Sequence, residues 1–182
     1  MSVVYGDQVV MLVSRKSEGF LSTIEMQALK EFLHNNNLVA GLSRCFKSPL
    51  QVSKYYIQSQ MAMEMGLKMN WGQDIYNYGE YSIFHIIENC SDKIDLLDLC
   101  HPSILFLKDF DEVNNTSFLE TLYYYLKFEK NPTLTSSELH IHRSTLFYRI
   151  EKIKKMTEID LNNGDVIFEL QLSFKLLEYI SK

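Results

Sequence analysis

The sequence predicts an α+β protein, with a small α/β unit at the amino end, a helical connector, and an all-α helix-turn-helix module at the carboxyl end. Three observations predict it. Short β-branched and aromatic runs bounded by turn residues are confined to the stretch before Tyr78. Beyond it, apolar residues recur at the three- and four-residue spacing of amphipathic helices. The formal net charge of −5 is also unevenly spread, with a compact basic island near the carboxyl end.

The elements follow in order. Val3, Val4 and Tyr5, then Gly6-Asp7, then Val9 to Val13 read as a hairpin, because glycine supplies the positive φ of a two-residue turn. Ser22 with Glu25 three residues on forms a capping box. Met26, Leu29 and Leu33 continue the helix to His34, where Asn35-Asn36-Asn37 ends it. Leu38 to Leu42 read as a buried strand. Ser48 as N-cap and Pro49 at the first helical position open a second helix, which Gly66 stops. Tyr76 to Tyr78 read as a last edge strand. Ser82 to Asn89 and Asp92 to Leu99 read as short helices, and Pro102 either breaks the second or starts a new one. Phe118, Leu119, Leu122, Tyr125 and Leu126 share one helical face. These readings divide the chain into 1–72, a connector at 73–115, and a module at 116–182.

Length and composition narrow the function classes. The 182 residues suit one large or two small domains, and such a chain buries roughly 70% of its extended surface. No apolar run approaches the ~18 residues of a membrane span. The start has no basic segment before its apolar stretch and does not read as a signal peptide. Cys45, Cys90 and Cys100 are too few and too unevenly spaced for a disulfide framework or, with His101, for a zinc site. The setting expected is reducing and cytoplasmic, with no membrane partner. No phosphate-binding glycine loop, nucleophile elbow or paired catalytic carboxylates stand out, and no cofactor is expected. Met61, Met63, Met65 and Met69 around one helix end read as core filling.

The charge distribution points further. Residues 1–115 hold 9 Lys and Arg against 14 Asp and Glu, whereas residues 116–182 hold 9 of each. Within the latter, residues 139–156 carry Arg143, Arg149, Lys152, Lys154 and Lys155 against Glu151 alone. An acidic chain with one basic island is a local docking face for something negative, not a general polyanion binder. Around it, Thr133 or Thr135 caps a short helix containing Ser136 and Leu139. His140-Ile141-His142 forms a turn. A second helix from Arg143 buries Leu146, Ile150 and Ile153. Small Ser136 lets the two helices cross closely. A short turn between two helices, the second basic, is the helix-turn-helix pattern of duplex-DNA readers.

On a helical wheel Ser144, Tyr148, Lys152 and Lys155 then face outward, Thr145 lies close by, and Arg143 and Arg149 sit on the flanks. The leading turn enters the major groove, so His142, Arg143, Ser144 and Thr145 are assigned to base edges and nearby phosphates. Arg149 and Lys152 lie further in, where side chains position the helix on phosphate. His140 and His142 flank one residue, but in a tight turn they serve as helix-end groups, and no metal is assigned to them. Tyr123-Tyr124-Tyr125 read as a helix facing core on one side and a partner on the other.

These residues resemble the carboxyl-terminal DNA-binding domain of the PucR/CdaR family of bacterial transcription regulators. The family signature Leu-x-x-His-Arg-x-Thr-Leu-x-Tyr-Arg is filled by Leu139, His142, Arg143, Thr145, Leu146, Tyr148 and Arg149. Where the family opens a helix with Leu-x-x-Thr-Leu, this chain reads Phe118-Leu119-Glu120-Thr121-Leu122. The following acidic-leucine pair is Asp160-Leu161, and the closing helix runs from Val166 to Ile180. The second helix is also similar to that of Fis-type domains. The front of the chain is similar to the degenerate GGDEF-like domain that precedes this module, through Gly41-Leu42-Ser43, Phe46, Ser48 and Ala62 to Gly66. A working cyclase needs a second glycine and an acidic pair at the hairpin tip. Tyr5-Gly6-Asp7-Gln8 lacks both, and Asp7 alone cannot hold two Mg²⁺ ions.

The resemblance implies a non-enzymatic, sequence-specific DNA-binding regulator of a catabolic operon. Its partners are double-stranded DNA and a second copy of the chain. The implied chain begins inside the GGDEF-like fold, with a small-molecule effector sensed by an upstream region. The rival readings are a nucleotide-processing enzyme on the cyclase-like half, and a protein-interaction module that meets an acidic partner.

Overall fold

The computed structural model describes residues 1–14, 21–70 and 72–182. Strands β1 (Ser2–Tyr5) and β2 (Gln8–Met11) form the expected antiparallel hairpin, with Ser2 opposite Met11 and Tyr5 opposite Gln8. Gly6 turns the chain at φ +65°, a conformation that costs glycine nothing. The second strand ends at Met11, earlier than the valine pattern suggests.

Helix α1 (Thr23–Asn35) starts at the capping box. The Ser22 N–H donates to the Glu25 carboxylate at 2.7 Å, and the Glu25 N–H donates to the Ser22 hydroxyl. Asn36 and Asn37, the latter at φ +54°, stop it. Leu38 and Val39 are exposed, so the strand expected over 38–42 shortens to β3 (Ala40–Leu42), which is half-buried. It pairs in parallel with β4 (Ile75–Asn77), Ala40 opposite Ile75 and Leu42 opposite Asn77. The expected edge strand at 76–78 thus sits one residue earlier, and Tyr78 begins the next helix.

Helix α2 (Val52–Met69) packs across both strands, preceded by a 3-10 turn at Pro49–Gln51. The Ser48 side chain makes no capping bond there, contrary to its expected role. Nor does Gly66 stop the helix, which runs on to Met69 and ends at Asn70, φ +50°. The reason for Gly66 is space. A Cβ there would lie 2.0 Å from the buried Tyr76 ring, and one at Gly41 would lie 1.9 Å from the Ser59 carbonyl oxygen. Helix and sheet approach too closely for side chains at those points. Met65 and Met69 are buried beside Ala62, as core filling requires.

The two short helices expected at 82–89 and 92–99 are not both formed. Helix α3 is longer, Tyr78–Ser91, and buries Tyr81, Phe84 and Ile87. Asp92 to Leu99 is a succession of turns, in which the Leu97 N–H donates to the Asp95 carboxylate and amides 98–100 reach back only three residues. Asp95 here offers the backbone a turn in place of a helix. Pro102 then starts a helix rather than breaking one. The described residues divide into Met1–Asn89 and Cys90–Lys182, and the stretch 73–115 straddles that division.

The second unit is all helical: α4 (Pro102–Asn114), α5 (Phe118–Lys127), α6 (Pro132–Glu138), α7 (Arg143–Thr157) and α8 (Gly164–Ile180). Each start has an identifiable acceptor. His101 Nδ1 accepts from the Ser103 N–H at the head of α4. The Asp111 carboxylate accepts from the Phe118 and Leu119 N–H groups at 2.9 and 2.7 Å, so α4 supplies the cap of α5. Asn163 caps α8. The cap of α6 is Asn131, whose side-chain oxygen accepts from the Thr133 and Leu134 N–H groups. Thr133 and Thr135, the expected caps, lie inside the helix because Pro132 takes its first position. Ile104, Leu107, Phe118, Leu122, Leu126, Leu146, Ile150, Ile153 and Leu170 form one buried cluster.

Candidate nucleic-acid interface

The site is built on the connection from α6 to α7. Helix α6 ends in a Schellman turn: the Ile141 N–H donates to the Ser136 carbonyl and the His140 N–H to the Ser137 carbonyl. His140 takes the left-handed position at φ +51°, where glycine is the usual residue. Half-buried Leu139 and Ile141 anchor this turn against the core. Ser136 is buried, with its hydroxyl donating back to the Thr133 carbonyl. The turn delivers His142 as the N-cap of α7, its Nδ1 accepting from the Ser144 N–H at 3.3 Å and lying 2.8 Å from the Ser144 hydroxyl.

Helix α7 is seated by its apolar stripe. Leu146 and Ile153 are fully buried and Ile150 nearly so, as the spacing predicts. His142, Arg143, Ser144, Thr145 and Tyr148 are all exposed, so five of the seven sequence-assigned residues stand together at the leading half of the helix. Arg143 is not loose: its guanidinium donates to the Thr133 hydroxyl on α6, which holds the cation across the helix-turn-helix. Phe147 is also exposed beside Tyr148, and the sequence reading did not single it out. Lys155 is exposed near the far end, while Lys154 is paired with Glu151 at 2.9 Å.

Arg149 and Lys152 are placed differently. Arg149 is half-buried and donates from Nη1 to the Thr121 hydroxyl on α5 at 3.1 Å. Thr121 is fully buried, and its hydroxyl donates in turn to the Ser117 carbonyl at 2.6 Å. Lys152 leaves the outward face the wheel gave it. Its ammonium lies 5.0 Å from the centre of the Phe118 ring and 5.9 Å from that of Phe110. Arg149 and Lys152 are three residues apart on one flank of α7, and α4 and α5 pack along that flank. Thr121 was visible as a signature position, but nothing in the linear sequence said that it faces Arg149. The aromatic run on α5 is half-buried, with Tyr123 edge-on to Phe174 of α8 and Tyr124 stacked on Phe128.

A capped helix on an apolar stripe, presenting imidazole, guanidinium and hydroxyls at its exposed tip, defines the class: a DNA-binding helix-turn-helix domain. Residues 118–176 match the family model of the PucR C-terminal helix-turn-helix domain. The module is a PucR/CdaR-family helix-turn-helix domain. The chain is 32% identical over 139 residues to the proline-responsive transcriptional activator PutR of Bacillus subtilis (strain 168), covering 76% of this chain and 34% of the relative. It is 26% identical over 140 residues to the DNA-binding transcriptional activator AdeR of the same organism, covering 77% and 31%. It is 27% identical over 138 residues to the carbohydrate diacid regulator of Escherichia coli (strain K12), covering 76% and 35%. The chain therefore spans about a third of the length of these relatives. All three are regulators and none is named for a catalysed reaction. No solved structure matches the chain. Among the described residues no helix is long and apolar enough to cross a membrane.

Proposed function

We propose that this chain binds double-stranded DNA sequence-specifically through α7 and, as part of a longer regulator, controls transcription of a catabolic operon in response to a small molecule. One observation carries the reading: the polar tip His142 to Thr145 stands free of the core, while the helix behind it is locked by Leu146, Ile150 and Ile153. A rigid rod with an exposed, cationic, hydrogen-bonding end suits the major groove. Arg143, pre-set by Thr133, offers its remaining donors to a guanine edge or a phosphate. Ser144, Thr145 and Tyr148 line the path behind it.

Arg149 and Lys152 serve the same site from within. In the resting arrangement they hold α7 at its angle against α5 and α4, and they reach phosphate only by leaving Thr121 and Phe118. One such helix reads only a few base pairs, so the functional unit is a homodimer that places two α7 helices on half-sites about 34 Å apart. The effector is a small metabolite, sensed outside residues 1–182, and the protein works in the cytoplasm. The response of PutR to proline illustrates the kind of signal involved.

Selection of bound sequences from a random duplex pool tests the reading. Recovery of a two-fold symmetric motif, bound with an affinity that falls steeply with salt, is the expected result. Recovery of no motif, with binding to an acidic protein or conversion of GTP instead, would overturn it.

A further inference from the structure

The bonds around His142 fix more than a helix start. The Ser144 N–H donates to Nδ1 at 3.3 Å, and the Ser144 hydroxyl lies 2.8 Å from the same nitrogen. An imidazole nitrogen that accepts carries no proton, so the proton of neutral His142 resides on Nε2. Nε2 lies across the ring from the cap, on an exposed side chain, and it has no partner among the described residues. The capping bonds therefore leave one oriented N–H donor at the very tip of α7. The neighbouring Arg143 has one of its donors held by Thr133, and the Ser144 hydroxyl is engaged with the ring itself.

We infer that His142 is a DNA-contacting residue which, held in its Nε2–H tautomer by its own capping bonds, donates one hydrogen bond to an acceptor on the DNA. This inference rests on the DNA-binding reading and deepens it, because it says what the first residue of the tip recognises. The ring offers a donor and no acceptor, so it matches purine N7, guanine O6 or thymine O4 in the major groove and rejects the amino groups of adenine and cytosine. A backbone phosphate oxygen satisfies the same chemistry. The two sources differ in consequence, since only a base edge carries sequence. The same bonds make the cap and the contact a single device: a side chain that caps α7 without the ring keeps the helix and loses the donor.

His142→Asn separates the two functions, because asparagine is a preferred N-cap whose shorter side chain leaves its amide donors about one bond short of the position of Nε2–H. The experiment uses the full chain, the duplex recovered from the random pool, and two families of altered duplex. In one, single purines lack N7. In the other, single phosphates are replaced by neutral methylphosphonates. The expected result for His142→Asn is an unchanged thermal unfolding curve with an affinity lower by about tenfold. If His142 reads a base edge, the variant loses preference at one base pair in each half-site, and with N7 as the acceptor, removing it there weakens the natural protein but not the variant. If His142 holds a phosphate, the loss is the same on all sequences and one methylphosphonate reproduces it. Unchanged affinity and profile in His142→Asn would overturn the inference. Should asparagine lower thermal stability, His142→Asp provides a second capping side chain that places an acceptor where the donor stood, and it must lose binding more severely. Nitrogen NMR of the labelled imidazole is an independent check without DNA. The Nε2–H form is expected, and a proton on Nδ1 would sink the assignment while leaving the DNA-binding reading intact. Failure of the natural protein to select any duplex overturns that underlying reading, and the inference with it.

Discussion

Thr121 and Arg149 stand 28 residues apart in the chain and share one hydrogen bond, and that bond carries the weight of a buried polar contact. The Thr121 hydroxyl receives Arg149 while donating to Ser117, so removing it leaves the half-buried guanidinium without this acceptor, whereas the Ser117 carbonyl keeps the Thr121 N–H. Thr121→Val is expected to cost about 1–3 kcal/mol in denaturant unfolding. Arg149→Met should cost less, since Thr121 keeps its bond to Ser117. Both should weaken DNA binding equally on every duplex, because they loosen how α7 is held and not what its tip touches. The cysteines give a second test. Burial pushes the Cys100 thiol above its ordinary range, helped by Asp95 and opposed by Lys108, while Cys45 is exposed. A thiol reagent near pH 8 should label Cys45 in the folded protein and Cys100 only on unfolding. A thiol whose pKa is raised by folding contributes stability fully present below its unfolded value, about 8.5, and lost as pH rises above it. Unfolding free energy should therefore decline on the alkaline side, and Cys100→Ala should flatten that part of the decline.

At the scale of elements, the helical unit depends on caps lent by neighbours. Asp111 reaches from α4 to the first amides of α5 and accepts also from the Thr116 hydroxyl. Asp111→Ala leaves several donors without an acceptor and is expected to lower stability by about 1–2 kcal/mol, read as a fall in Tm. The opposite sign is expected at His140. Its left-handed φ of +51° costs a side chain roughly 1 kcal/mol that glycine does not pay. His140→Gly should raise Tm by a few degrees without altering DNA preference, as His140 has no part in the tip. Leu146→Ala truncates the first, fully buried residue of the stripe and should cost about 2–5 kcal/mol. The caps also show how far residues alone can be read. The Ser22 to Glu25 box lies within one turn and is legible in sequence. The caps of α5 and α6 belong to Asp111 and Asn131, and the expected Thr133 and Thr135 were displaced by a proline one residue upstream.

For the whole molecule, the question is where the DNA-binding module begins. The sequence places its start at 116, but Ile104 and Leu107 of α4 lie in the same cluster as Leu146 and Ile153. We propose that the autonomous unit is 90–182. That fragment is expected to unfold cooperatively and to retain the affinity of a single half-site. The shorter fragment 116–182, stripped of two fully buried side chains and of the Asp111 cap, should be largely unfolded at the same temperature. Circular dichroism on the two fragments decides between them, and a stable 116–182 would remove α4 from the module.

Local patterns were enough to read the α+β division, the hairpin, the stripe of α7 and the exposed tip from His142 to Thr145. Each rests on periodicity or on turn chemistry within a few residues, where the physics is confined to neighbours in the chain. Packing between distant segments settled the rest. Gly66 looks like a helix stop until the Tyr76 ring is found against it. Arg149 and Lys152 look like free cations until α5 and α4 cover their flank. A side chain's spacing says which face of a helix it occupies, whereas its partner on another element depends on contacts between segments tens of residues apart, which no local pattern encodes.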